Sequence, residues 1–332
     1  MNSNALVLSG GSVKGSFQAG AIQAVLDAGF IPDIIYGVSV GSLNGFFLAH
    51  KAAEKVISKS GQSLNEDDWA AIGQELVDFW MSHIKEPDDV AIQRSLISDV
   101  LHILRNKFNG LSDIAPIHRI LDSMYNENVL RQSPVKLVVG SVDFVSSEML
   151  YKNPFDFDFL DYLKGSMAIP IAMPSQHTRH EEILFDGGVR DVAPLGFAIN
   201  EGATKIIGIL CQSQKLKKES DTFNENKLMQ LLDRLESIVV NQNVINDSEW
   251  ITFINKVVNE AKKMNVNLST LKEYKIIDHL IIQPSEELEI DITNFTSKEI
   301  EANLKLGYKV AKELLENATV IPKPPIPFRP IT

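Results

Sequence analysis

The sequence predicts an α/β fold, a three-layer sandwich with a mainly parallel central sheet. Three observations carry that expectation. Short apolar runs recur along the chain, and several of them stop at glycine, as buried strands do at a turn. Between them lie longer stretches whose apolar residues recur at helical spacing. The two kinds alternate instead of forming separate blocks, which is the pattern of strands joined by crossover helices.

Taken in order, Ala5-Leu6-Val7-Leu8 is a buried strand that runs into Ser9-Gly10-Gly11. Ala19, Ile22, Val25 and Leu26 then mark one helix face, closed by Gly29. Ile34-Ile35-Tyr36 is the second strand, Gly37-Val38-Ser39-Val40-Gly41 a sharp turn, and Leu43–Ala53 a helix. This predicts a parallel strand pair with a crossover helix. Residues 54–130 carry little strand signal and read as a helical insertion. Within it, Trp69–Ile84 and Ser95–Phe108 have amphipathic spacing, the second through Leu96, Val100, Leu101, Leu104 and Phe108. That face reads either as core packing or as a lid or lipid-facing surface.

Further strands are expected at Val135–Val142, Glu148–Lys152, Ile183–Phe185, Ile206–Leu210 and Leu280–Ile282. Further helices are expected at Tyr162–Ala168, Lys227–Gln242, Trp250–Lys263 and Lys298–Glu316. Gln212–Asn226 is polar and reads as a loop. No repeat or linker interrupts residues 1–320, which predicts one domain, followed by a proline-rich, extended tail at 321–332.

Composition narrows the function classes. The chain has 332 residues, 44% hydrophobic and 23% charged, which excludes disordered and fibrous classes. A net charge of -11 excludes a general nucleic-acid binder, because phosphate contacts need an excess of Lys and Arg. A single cysteine, Cys211, excludes an internal disulfide framework and a cysteine-rich metal site. The seven histidines show no metal-ligand spacing, so neither metal nor cofactor is expected. The N-terminus lacks a basic stretch followed by an apolar run, and no segment is long and apolar enough to span a bilayer. The expectation is a cytoplasmic protein whose membrane contact, if any, is peripheral.

Three motifs carry chemistry. Gly37-x-Ser39-x-Gly41 lies directly between an apolar strand and a helix. There a tight turn lifts a serine hydroxyl above the sheet edge, beside the positive end of the helix dipole. Taken alone, the pattern fits a structural turn as well as a nucleophile. Gly10-Gly11-Ser12-Val13-Lys14-Gly15 follows the first strand and aims backbone N–H groups at one point, which suits a phosphate or an oxyanion. A dinucleotide site is disfavoured. Ser12 breaks the glycine fingerprint, and the second strand ends in Tyr36-Gly37 without the acidic residue that would bind a ribose. Asp186-Gly187-Gly188 follows a strand and leaves an aspartate on a tight turn, by itself a common feature.

Their order is more specific than any one of them: a glycine loop, a GxSxG turn about 25 residues on, and a DGG far downstream. In this the chain resembles the patatin-like phospholipase family over about residues 5–210, with Asn303–Leu315 as a closing helix. Ser166-Met167-Ala168-Ile169-Pro170 and the strand Leu137–Ser141 are also family-like. The resemblance implies a lipid acyl hydrolase with Ser39 as nucleophile and Asp186 as base. It implies an oxyanion hole from the Gly10, Gly11 and Ser12 backbone, with Lys14, Gly15, Gly37, Gly41, Gly187 and Gly188 in support. Lys14 matches a basic position whose role is structural or electrostatic. Two departures stand out: Ser12 where glycine is usual, and Val192 where asparagine often follows DGG.

The implied chemistry is two-step acyl transfer from a phospholipid or another acyl lipid. A carboxylate with a pKa near ~4 is a weak base for a serine hydroxyl, so Asp186 must contact Ser39 directly in a partly dry site. The rival enzyme is an α/β-hydrolase with a Ser39-Asp186-His279 triad, since His279 is the one histidine after Asp186. The rival class is a binding protein that keeps the fold without the chemistry.

Overall fold

The computed structural model describes residues 4–95, 104–105, 107–213, 234, 238, 252–261, 263–264 and 276–317. The chain begins with β1 (Asn4–Leu8), a 3-10 turn (Ser12–Lys14), α1 (Gly15–Asp27), β2 (Ile34–Val38) and α2 (Val40–Ser58). The two strands pair in parallel, Ala5 opposite Ile34 and Leu8 opposite Gly37. Ala5, Leu6, Val7 and Leu8 are all fully buried. A strand covered on both faces must be apolar at every position, which explains the unbroken apolar run.

Next comes α3 (Glu66–His83), started by a capping box in which Asn65 accepts from the Asp68 N–H and Asp68 accepts from the Asn65 N–H. Such a cap contributes about 1 kcal/mol. Trp69, Ile72, Leu76 and Trp80 pack α3 into the core against α1 and α2. A short hairpin pairs β3 (Ile92–Gln93) with β4 (Ser112–Asp113), and α4 (Ala115–Met124) and α5 (Glu127–Leu130) lead into β5 (Lys136–Asp143).

On β5 three strands converge. β2 pairs with it in parallel, whereas β6 (Met149–Lys152) and β8 (Ile183–Asp186) pair antiparallel. Between them the chain forms α6 (Phe159–Gly165) and β7 (Gln176–His177), and afterwards α7 (Leu195–Asn200), β9 (Lys205–Ile209), β10 (Asp278–Ile282) and α8 (Ser297–Asn317). The strand order is β10-β9-β1-β2-β5-β8-β7, with β6 also on β5.

Helices cover both faces. On one side α1, α2, α3, α4, α6 and α8 enclose the larger core. On the other, Leu195 and Ala198 of α7, with Ile254 and Val258 from the helical residues 252–261, cover Ala5, Val7, Tyr36 and Val138. The three-layer α/β arrangement is the expected one. The closing helix α8 meets α1 backbone to backbone: a Cβ on Gly20 would lie 1.9 Å from the Leu304 carbonyl oxygen, and one on Gly307 1.9 Å from that of Phe17.

Several details differ from expectation. The helix expected at Tyr162–Ala168 spans Phe159–Gly165, because Ser166 and Ala168 turn away to bond with other segments. Helices α4 and α5 lie within the expected helical insertion at 54–130 but were not singled out there, and α7 was not expected. Most of the helix expected at Lys227–Gln242, most of Ser95–Phe108, the loop beyond Ser213 and the tail from Pro322 lie outside the described residues. Among the described residues no helix is long and apolar enough to cross a membrane.

Candidate active site

The elbow forms where β2 stops and α2 starts. Ser39 lies between them with φ 55° and ψ −128°, a backbone region costly for a residue with a side chain. Close approach makes that turn possible. A Cβ on Gly37 would lie 2.4 Å from the Gly41 carbonyl oxygen, and one on Gly41 2.2 Å from that of Leu8. Ser39 therefore heads α2, where the helix dipole favours negative charge. It is 6% exposed.

The glycine loop lies beside it. A Cβ on Gly10 would stand 3.7 Å from Ser39 Oγ. Gly11 has φ 152°, and a Cβ there would lie 2.3 Å from Cys211 Cβ, so glycine is required. Ser12 follows at φ 51°. Gly10 corrects the sequence reading: its N–H donates to the Val192 carbonyl at 2.9 Å and is not available as an oxyanion donor. Among the described residues no acceptor meets the N–H of Gly11 or Ser12.

Side chains fix the loop from behind. Ser9 Oγ donates to the Gly10 carbonyl at 2.9 Å and accepts from the Cys211 N–H at 2.9 Å, and Gln212 Nε2 donates to the same Gly10 carbonyl at 2.9 Å. A buried polar chain holds both ends. Gln18 Nε2 donates to the Ser9 and Ile209 carbonyls, Asn44 Nδ2 donates to Gln18 Oε1 and to the Gly15 carbonyl, and Trp80 Nε1 donates to Asn44 Oδ1. Gly15 admits Val40 and Trp80, whose atoms would lie 2.2 and 2.9 Å from a Cβ there. Lys14 ends the 3-10 turn, its N–H bonded to the Gly11 carbonyl. Burial pushes the Cys211 thiol up to about 12, so it is an inert core group.

Asp186 arrives from the other side. Val38 pairs with Gly140 and Asp186 with Ser141, so the two motifs meet at neighbouring positions of β5. Asp186 is 5% exposed; its Oδ1 accepts from the Gly188 N–H at 2.7 Å and its own N–H donates to the Ala168 carbonyl at 2.8 Å. Gly187 fits against Gly140, whose carbonyl oxygen would lie 2.6 Å from a Cβ. Val192 sits between the two motifs. One of its methyls would lie 3.2 Å from a Cβ on Gly10 and 3.6 Å from one on Gly188. One residue before Val192, the Asp191 carboxylate accepts from the Tyr151 hydroxyl, and burial raises the Asp191 carboxyl above its usual range.

His279 does not join this site. It pairs with Ile206, which pairs with Ala5, which pairs with Ile34, five residues before Ser39. Three strand spacings of about 4.8 Å and five residues of about 3.3 Å put it about 20 Å away. The triad reading is overturned. No metal-binding set of His, Cys, Asp and Glu occurs among the described residues.

Sequence reading missed Ser9, Gln18, Asn44 and Tyr151 as supports, noted Val192 only as a departure after DGG, and quoted Ser166 without a role. Most of their partners lie tens to hundreds of residues away in the chain, so spacing gives no signal.

Fold and site define a class: a three-layer α/β protein with a serine elbow facing a glycine loop and an aspartate turn. The patatin-like phospholipase family model matches residues 6–199, and the chain belongs to that family. It is similar to patatin-like phospholipase domain-containing protein 6 of Homo sapiens and of Mus musculus, each 26% identical over 214 residues, 64% of this chain and 14% of the relative. It is also similar to patatin-like phospholipase domain-containing protein 7 of Rattus norvegicus, 22% identical over 209 residues, 63% of this chain and 13% of the relative. The chain thus spans about one seventh of the length of these relatives. Among solved structures, VipD from Legionella pneumophila aligns at a TM-score of 0.42 and 15% identity, covering 95% of this chain and 67% of that one.

Proposed function

We propose that the protein hydrolyses acyl esters of lipids, phospholipids among them, through an acyl-Ser39 intermediate with Asp186 as the base. The observation that carries this is the register on β5, with Val38 opposite Gly140 and Asp186 opposite Ser141. That register sets a strained serine and a buried carboxylate beside neighbouring positions of one strand, and the pairing of Leu8 with Gly37 sets the glycine loop beside the serine. Membership of a family named for phospholipases supports the substrate class.

In this reading Ser39 Oγ attacks the ester carbonyl carbon and its proton passes to the Asp186 carboxylate. The carbonyl oxygen becomes an oxyanion, held by the Gly11 and Ser12 N–H groups, each such donor contributing roughly 2.7–4 kcal/mol in comparable sites. Collapse breaks the ester C–O bond, and the departing alkoxide takes the proton from Asp186. Water then attacks the acyl-serine, giving its proton to Asp186, and the returning proton frees Ser39. Near-complete burial of both groups fits a base that works by direct contact in a dry site. Access to lipid implies peripheral contact with a micelle or membrane surface.

The test is fluorophosphonate labelling together with phospholipid ester hydrolysis. Ser39→Ala and Asp186→Asn should each lower hydrolysis by roughly ten-thousand-fold, with labelling lost in the first. His279→Ala should retain full activity. Undiminished hydrolysis in Ser39→Ala sinks the reading. A wild-type protein that neither labels nor hydrolyses would favour a binding role for the fold.

A further inference from the structure

The N–H of Ser39 has no place in either flanking element. The β2 ladder ends at Val38 and α2 begins at Val40, and the residue between them is buried. A buried N–H left without an acceptor costs roughly 1–3 kcal/mol. Here the acceptor is a side chain 127 residues away: Ser39 N donates to Ser166 Oγ at 2.9 Å.

That hydroxyl is fully committed. It donates its one proton to the Gly140 carbonyl at 2.6 Å. Ser42 Oγ lies 2.9 Å away, and with the Ser166 proton already used, Ser42 must be the donor. One donor site and two lone pairs are then filled, so Ser166 Oγ cannot rotate without losing bonds. Both serines are fully buried. Two residues on, the Ala168 carbonyl accepts from the Asp186 N–H at 2.8 Å. One three-residue segment therefore bonds to the backbone of the nucleophile and to the backbone of the base, and Ser166 also bonds to the β5 residue beside Ser141, the partner of Asp186.

We propose that Ser166, with the Ala168 carbonyl, is a positioning bridge that holds Ser39 and Asp186 within proton-transfer reach of each other. This rests on the Ser39–Asp186 reading above. A dyad has no intervening imidazole to absorb misplacement. The proton must cross a single hydrogen bond, so a shift of about 1 Å between the two groups can cost about 100-fold in rate.

The test compares Ser166→Ala, Ser166→Cys and Ser166→Thr by turnover of a soluble p-nitrophenyl ester, by the rate of fluorophosphonate labelling and by melting temperature. Ser166→Ala deletes the acceptor. Ser166→Cys keeps the side-chain shape with a somewhat larger atom that is a poor acceptor, so it leaves no cavity and gives a second reading if Ser166→Ala does not fold. Both should lower kcat and the labelling rate roughly 10- to 100-fold. KM should stay within about twofold, because positioning acts on the transition state. Ser166→Thr restores the hydroxyl and should recover most of the lost kcat. Wild-type kcat in folded Ser166→Ala or Ser166→Cys overturns the bridge, as does activity that falls only with the folded fraction. Ser39→Ala separates the two claims. If it stays active, the dyad reading fails and the bridge with it; if it is inactive while the Ser166 variants are normal, only the bridge fails.

Discussion

The N–H of Gly10 donates to the carbonyl of Val192 at 2.9 Å, so the glycine loop and the loop after Asp186 are bonded directly to each other. A backbone bond between two loops makes their spacing a property of both. In the proposed mechanism it also removes Gly10 from the oxyanion donors and leaves that role to Gly11 and Ser12.

Gly10→Ala should therefore act on catalysis more than on folding. The added Cβ would stand 3.0 Å from Ser39 Cβ and 3.2 Å from a Val192 methyl, close enough that each must give way by a few tenths of an ångström. The expected result is a folded protein with kcat lowered roughly 10- to 100-fold. Adding Val192→Ala removes one of the two obstructing groups and should restore part of the loss, a coupling that a double-mutant cycle on ester turnover would read. Wild-type kcat in Gly10→Ala would show that the loop spacing does not matter.

Ser12 tests the oxyanion assignment at a position where two stability effects oppose each other. At φ 51° a serine is strained, so Ser12→Gly relieves the backbone while giving the unfolded chain more freedom. Each effect is on the order of 1 kcal/mol. The melting temperature should shift little, and kcat should stay close to wild type because the N–H survives. Replacing Ser12 by its α-hydroxy acid, which turns the Gly11–Ser12 peptide bond into an ester, removes that N–H without fixing φ as proline would, and losing an oxyanion donor should lower kcat by roughly 100- to 1,000-fold. Equal activities in the two variants would mean that the Ser12 amide does not touch the developing charge.

How far the site was legible depends on the distance over which its bonds act. The elbow and the glycine loop follow from local rules: an apolar run, a glycine turn, then helical spacing, so β1, β2 and Ser39 fell where expected. Asp186 was legible as a turn residue, but its antiparallel strand was not. Ile183-Leu184-Phe185 looks alike in either direction, and its sense is set by its pairing with β5 and with the short β7. Helix α7 escaped notice because six residues with two buried positions make no periodic pattern. Helix α4 did leave a signal that went unread: Pro116 in its first turn, with Asp113 Oδ1 accepting from the Ala115 N–H. Ser166 and Val192 could not be assigned from spacing at all, because each acts on segments more than a hundred residues away.

Asn44 should prove among the costlier buried polar residues to replace. Asn44→Leu would strand the Trp80 indole N–H, the Gln18 amide oxygen and the Gly15 carbonyl in one step. At roughly 1–3 kcal/mol for each buried group left unpaired, partly relieved by relaxation, the loss should be about 3 kcal/mol or more. Denaturant melts would measure it. A loss below about 1 kcal/mol would mean that other groups take over these bonds and that the chain does not brace the loop.

Asp191 offers a pH test with a definite sign. Burial raises its carboxyl, while the bond from Tyr151 and one from the Ala193 N–H pull the other way. The folded state then holds this proton to higher pH than the unfolded chain, whose carboxyl ionises near ~3.9. Stability must fall as pH rises from that value through the folded-state pKa, because the native state binds more protons there. Asp191→Asn keeps an acceptor for Tyr151 and has no proton to lose. Its stability advantage over wild type should grow as pH is raised above ~4 and level off once the wild-type carboxyl is ionised in both states. Urea melts across this range would follow the difference. An advantage that stays constant with pH would mean that the Asp191 carboxyl titrates alike in the folded and unfolded chain, and that its burial in the loop after Asp186 carries no electrostatic penalty.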